Sequence, residues 1–167
     1  MDAAPSSERR RIGVIGPGSD VPAHVLDAAE RVGALVAESG QIVINGGLGG
    51  VMEAASRGAS GRGGLVIGLL PGDRDQIGNA YLTVGLPTGL GELRNGLLVR
   101  ACDAVVCVGG SWGTLSEVAL AVRTGVPLVM LHGWPSQEEG PVLVETPEEA
   151  VTTALELVGA TPGSHSP

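Results

Sequence analysis

The chain has 167 residues, of which 43% are hydrophobic but only 2% are Phe, Trp or Tyr, and Phe is missing altogether; that is enough for one domain with a core of Val, Leu, Ile and Ala, which suits helices packed on a buried parallel sheet. All ten basic residues are Arg, so the chain has no lysine for a pyridoxal-phosphate Schiff base or for a Walker A loop. The formal net charge of -8 argues against general nucleic-acid binding, while a small anion could still be held by backbone amides and a few arginines.

Residues 1–10 are polar and predict a disordered arm. The apolar run that follows, Ile12 to Ile15, is too short for a secretory segment. No stretch reaches transmembrane length, so the expected location is the cytoplasm. Arg11–Gly16 reads as a first strand. Pro22–Ser39 predicts a helix, with Val25, Leu26, Ala29, Val32 and Val36 at helical spacing and Gly40 ending it. Gln41–Asn45 is a second strand, Val51–Ser60 a helix and Gly64–Leu70 a third strand. After a polar loop, Tyr81–Val84 predicts a short strand and Gly91–Ala101 a helix. Asp103–Val108 is a strand, Gly113–Thr124 a helix, Val126–Leu131 a strand, Val142–Val144 a short strand and Pro147–Val158 a last helix. Residues 159–167 predict a disordered tail. Near-continuous apolar strands alternating with helices define one α/β domain over residues 11–158: a doubly wound, Rossmann-like parallel sheet with helices on both faces.

Ligands of such sheets sit outside the carboxyl ends of the strands, and three glycine-rich turns fall there. The first carries Gly16, Gly18 and Ser19; the second carries Gly46, Gly47 and Gly49; the third carries Gly110, Ser111, Trp112, Gly113 and Thr114. Glycine permits a tight turn and also lets amides approach a bulky anion, next to the positive end of a helix dipole. One such turn is explained by geometry alone; three point to a phosphate-bearing ligand. The dinucleotide fingerprint is not matched, and Asn45 stands where an acidic residue would close the second strand, which favours a ligand of mononucleotide size.

Thr114-Leu115-Ser116-Glu117 fits a capping box, with Thr114 as N-cap and Glu117 reaching back. The same spacing would put the Glu117 carboxylate on the first turn of a helix facing the crevice. Arg94 and Arg100 lie on the preceding helix, and their positions alone do not choose between them. Cys102 and Cys107 read as small buried residues in a reducing compartment. His24, His132 and His165 are scattered, so no metal site is legible. Trp112, Trp134 and Tyr81 are the only side chains suited to stack on a ring; for Trp134, packing at the core edge is an equal reading.

Gly46-Gly47-Leu48-Gly49-Gly50-Val51-Met52-Glu53-Ala54, Arg94 nine residues before Asp103, and Gly113-Thr114-x-x-Glu117 together resemble the Lonely-guy (LOG) family of the SLOG superfamily, once labelled "lysine decarboxylase". The likeness runs from about Arg11 to Leu157 and is best to the shorter bacterial branch that includes the molybdenum-cofactor carrier protein. It implies hydrolysis of the N-glycosidic bond of a nucleoside 5'-monophosphate, with Arg94 and Glu117 as the catalytic pair, phosphate on the amides of Gly110–Thr114 and no cofactor required. The alternative it implies is a non-catalytic carrier or sensor of a phosphorylated cofactor such as the molybdenum cofactor. Either way the expected partners are a small phosphorylated ligand and further copies of the chain, as a homodimer or homotetramer, with neither nucleic acid nor membrane. The pattern departs where phosphoribohydrolases carry Pro-Gly-Gly-x-Gly-Thr, since Gly109 and Ser111 replace the proline and second glycine. It also departs around Arg94, where Gly91-Glu92-Leu93-Arg94-Asn95 replaces a Met-His-Glu-Arg-Lys run. The absent lysine excludes the old decarboxylase label on chemical grounds.

Overall fold

The computed structural model describes residues 9–134 and 140–160. Most of the expected arm and tail, residues 1–8 and 161–167, lies outside them, but Gly159 and Ala160 continue the last helix rather than opening the tail.

Seven strands form one sheet: β1 (Arg11–Ile15), β2 (Ile42–Asn45), β3 (Val66–Leu70), β4 (Val84–Pro87), β5 (Ala104–Val108), β6 (Leu128–Leu131) and β7 (Val142–Val144). Their order is β4-β3-β2-β1-β5-β6-β7, and every pairing is parallel. The chain starts in the middle, walks outward to β4, then returns to β5 beside β1. That reversal puts the topological switch point between β1 and β5.

Helices α1 (Ala23–Glu38), α2 (Val51–Ser60) and α5 (Pro147–Ala160) cover one face; α3 (Arg94–Ala101) and α4 (Trp112–Thr124) cover the other. One face of the sheet buries Ile12, Val14, Val43, Val66 and Val106 under α1, α2 and α5. The opposite face buries Ile15, Ile44, Val105, Cys107 and Met130 under α3 and α4. Side chains alternate across the pleat, so β1 and β5 feed both layers, as their fully apolar interiors require. Small residues bring α1 and α2 together. A Cβ on Gly58 would meet the Glu30 carbonyl at 1.9 Å, and one on Gly33 the Ala55 carbonyl at 2.0 Å.

The fourth strand lies three residues beyond its expected start, at Val84–Pro87. The Thr83 hydroxyl accepts from the Val66 amide at 3.0 Å and sets the register Ile67↔Val84. Leu82, expected in the strand, instead plugs the gap above Gly47, Gly68 and Gly78. Pro87 is tolerated because β4 is a sheet edge. The expected helix at Gly91 begins as a single 3-10 turn, Gly91–Leu93, before α3 starts at Arg94.

Candidate functional site

The three glycine turns leave β1, β2 and β5, which are neighbours in the sheet, so they form one continuous rim. They are locked to one another. The Val51 amide donates to the Pro17 carbonyl at 3.0 Å, and a Cβ on Gly50 would meet that carbonyl at 2.3 Å.

Several of the expected phosphate-facing glycines have another task. A Cβ on Gly16 would lie 2.3 Å from the Val108 carbonyl, so Gly16 is needed where β1 and β5 crowd together. The Gly47 amide donates to Asn45 Oδ1 at 2.8 Å, and its α-carbon lies under Leu70 and Leu82; that amide is not free for a phosphate. A Cβ on Gly46 would lie 2.6 Å from both terminal nitrogens of Arg94, so Gly46 makes room for the guanidinium. Gly18 and Ser19 are exposed and Gly49 half-buried on the same rim. Asn45 and Asn79 hold the second turn: fully buried Asn45 also bonds Ser56 Oγ at 2.9 Å, and Asn79 donates to the Leu48 carbonyl at 3.1 Å. Neither asparagine was expected as part of the site; a polar residue ending a buried strand is the signal that could have marked Asn45.

The third turn corrects the capping expectation. Ser111, not Thr114, is the N-cap of α4, and its hydroxyl accepts from the Thr114 amide at 3.3 Å. Thr114 is buried in the first turn, its hydroxyl 2.9 Å from Ser111 Oγ, so it supports the cap rather than a ligand. Glu117 is therefore six residues past the cap and too far along to close a box. The amides of Trp112 and Gly113, at the start of α4, have no intrahelical acceptor.

Between Arg94 and Arg100 the burial decides: Arg94 is 7% exposed, Arg100 is at the surface. Asp103 takes Arg11 as its partner, at 2.9 Å. Arg94, at the start of α3, and Glu117, on α4 and equally buried, face each other with Nη1 3.8 Å from Oε1. That is a charge pair without a hydrogen bond. Asn95 Oδ1 accepts from Arg94 Nη1 at 2.9 Å, and Asn95 Nδ2 donates across to Ser116 Oγ on α4 at 3.2 Å. Arg94 Nε is buried and, among the described residues, has no acceptor. A buried donor without a partner costs about 1–3 kcal/mol, more where it belongs to a charged group, and the described residues supply this guanidinium no acceptor at Nε.

Burial pushes the Glu117 carboxyl up to about 7, against the opposing pull of Arg94. Burial lowers Arg94, and Glu117 partly restores it. The result is a carboxyl that changes charge near neutral pH beside a fixed cation, the range suited to acid–base work. The thiols of Cys102 and Cys107 are buried and pushed to about 12, chiefly by burial, so they are inert packing groups. His24 and His132 come together, with ring centroids 5.5 Å apart; His165 lies outside the described residues. Among the described residues no group of three or more His, Cys, Asp or Glu side chains is placed to hold a metal ion. Among the described residues no helix is long and apolar enough to cross a membrane.

Two tryptophans line one cavity beside the cap. Trp112 opens α4, 87% exposed, and Trp134 follows β6, 38% exposed. With Gly110, Ser111 and Leu115 they line a cavity of about 390 Å³.

The family described as SLOG cluster4 matches this chain over residues 9–158. An uncharacterized protein of Archaeoglobus fulgidus is 45% identical over 145 residues, which cover 87% of this chain and 94% of that one. The probable cytokinin riboside 5'-monophosphate phosphoribohydrolase LOGL5 of Oryza sativa subsp. japonica is 33% identical over 136 residues, 76% of this chain but only 53% of its own. Among solved structures, the molybdenum cofactor binding protein of Rippkaea orientalis superposes with a TM-score of 0.86 at 34% identity, covering 92% of this chain and 99% of that one. The molybdenum cofactor carrier protein of Chlamydomonas reinhardtii superposes with a TM-score of 0.83 at 31% identity, covering 90% and 99%.

Proposed function

The chain belongs to the SLOG cluster4 family, and from that premise we propose that it binds a nucleotide-like phosphorylated small molecule and hydrolyses the N-glycosidic bond of a nucleoside 5'-monophosphate. The observation that carries this reading is the buried Arg94–Glu117 pair with its unpartnered Arg94 Nε. In the reaction the bond from C1' of the ribose to the base nitrogen breaks, water oxygen bonds to C1', and a proton goes to the leaving base. Positive charge grows on the ribose as the base departs. The ionised Glu117 carboxylate would stabilise that charge and take a proton from the attacking water. Arg94 would hold Glu117 in place and give Nε to a ligand oxygen. The open amides of Trp112 and Gly113 would receive the phosphate at the positive end of α4. The likeness to a phosphoribohydrolase along half of that protein's length supports the assignment.

The test is incubation with AMP and other nucleoside monophosphates while free base is measured. Base should appear with the wild-type protein and fall at least about 1000-fold in Glu117→Gln, the scale of losing a group that acts on the developing charge. No release at high enzyme concentration overturns hydrolysis.

A second reading is favoured by a separate observation, the near-complete coverage of two molybdenum cofactor proteins. Here the same rim retains the phosphorylated pterin without cleaving it. Protein that binds the cofactor and releases no base from any monophosphate would be such a carrier. Both readings include a homodimer or homotetramer, with a seam along α3 and the turn that precedes it, where Leu93 and Leu97 are exposed.

A further inference from the structure

The hydrolytic reading leaves the tryptophan cleft unused. Leu115 and Glu117 are two residues apart on α4 and so point about 200° apart around the helix. Glu117 and Ser116 lie on the side of α3, where Arg94 and Asn95 meet them. Leu115 lies on the opposite flank and shares its cavity with Trp134, from the end of β6. Trp112, at the start of α4, lines this cavity and also one on the α3 side with Asn95, Gly113 and Ser116.

The cleft is built around its indoles. A Cβ on Gly110 would lie 2.8–2.9 Å from three carbons of the Trp134 ring, so Gly110 is what lets that ring lie flat on the backbone. Trp112 remains 87% exposed. A chain with two tryptophans, one tyrosine and no phenylalanine therefore places both indoles at one opening. None of the five lining residues is charged. At the same end, the first amides of α4 present partial positive charge. The charge pattern is thus apolar and aromatic across the cleft, with positive amides at its margin.

We infer that the cleft between Trp112 and Trp134 is a subsite for a flat bicyclic heteroaromatic ring with an anionic arm, held beside the first turn of α4. Faces of such rings stack on indoles irrespective of sequence-like detail. This rests on the phosphorylated-ligand reading but not on hydrolysis, since the indoles hold the ring whether or not its bond to a sugar is cleaved.

The two tryptophans are themselves the reporters. Emission of Glu117→Gln protein, and of its Trp112→Phe and Trp134→Phe forms, is titrated with GMP, pterin-6-carboxylate and ribose 5-phosphate. At least one ring probe should quench both indoles to saturation, while ribose 5-phosphate should not; GMP alone would identify a purine, pterin-6-carboxylate alone a pterin. Trp112→Ala, at an exposed position that the fold does not need, should weaken that probe about tenfold by calorimetry. The inference is overturned if neither ring probe quenches, if ribose 5-phosphate quenches equally, or if Trp112→Ala binds as tightly as its parent. Base release without quenching would sink the subsite and leave hydrolysis standing; quenching in a protein that releases no base would do the reverse.

Discussion

Glu117 is governed by where α4 begins. With Ser111 as the cap, the carboxylate lies in the second turn, pointing inward, and answers to burial and to Arg94 alone. Its folded value of about 7 stands above the ordinary 4.5, so the carboxyl favours folding when protonated. That stability is fully present below about pH 4.5 and is lost as pH rises through about 7, an effect on the order of 2–3 kcal/mol. Urea unfolding at pH 5 and pH 8 should show this loss in the wild type, and Glu117→Gln should be flatter by most of it. Equal pH slopes in the two proteins would show that Glu117 titrates normally. Ionised Glu117 is also the form that hydrolysis needs, so base release should climb through the same range. Gly46 belongs to the same residue-scale account: its missing Cβ is the space that the Arg94 guanidinium occupies.

At the scale of elements, most of the sheet was legible because buried parallel strands leave unbroken apolar runs. Ile12–Ile15, Ile42–Asn45 and Ala104–Val108 could hardly be anything else. The departures occurred where one hydrogen bond outweighs local pattern. Thr83 shifts β4, and Ser111 moves the cap of α4 back by three residues from Thr114, a cap of this kind contributing about 1 kcal/mol. Arg94 and Glu117 could be named from the motif. Their burial and the role of Asn45 could not, because these depend on elements far apart in the chain. The α3–α4 pair raises a further expectation. Leu93 is 80% exposed, one helical turn from exposed Leu97, and soluble monomers rarely leave such a patch open. Sedimentation at micromolar concentration should give a dimer or tetramer, and Leu93→Asp should lower that mass. A wild-type monomer would remove the proposed seam.

For the molecule as a whole, the reversal between β1 and β5 gathers three loops and the starts of α1, α2 and α4 at one edge of the sheet, and under the proposed function that edge attracts an anion on a protein of net charge -8. The two influences act over different distances. The amides of α4 and the Arg94 guanidinium work within a few ångströms, where salt screens little. The surplus of carboxylates repels a phosphate dianion from farther away, and it is screened as the Debye length falls from about 30 Å at 0.01 M to about 8 Å at 0.15 M. Added salt should therefore quicken association of AMP with Glu117→Gln protein and tighten its binding by a few-fold over that range. This is opposite to a basic phosphate-binding surface, where salt weakens binding. Stopped-flow association rates across the series measure it directly. A steady fall in rate with ionic strength would mean that positive charge dominates the approach, which the distribution of arginines does not provide: Arg31 pairs with Glu148, Arg57 with Glu30 and Arg62 with Glu38, and Arg74, exposed in the loop after β3, is flanked by Asp73 and Asp75.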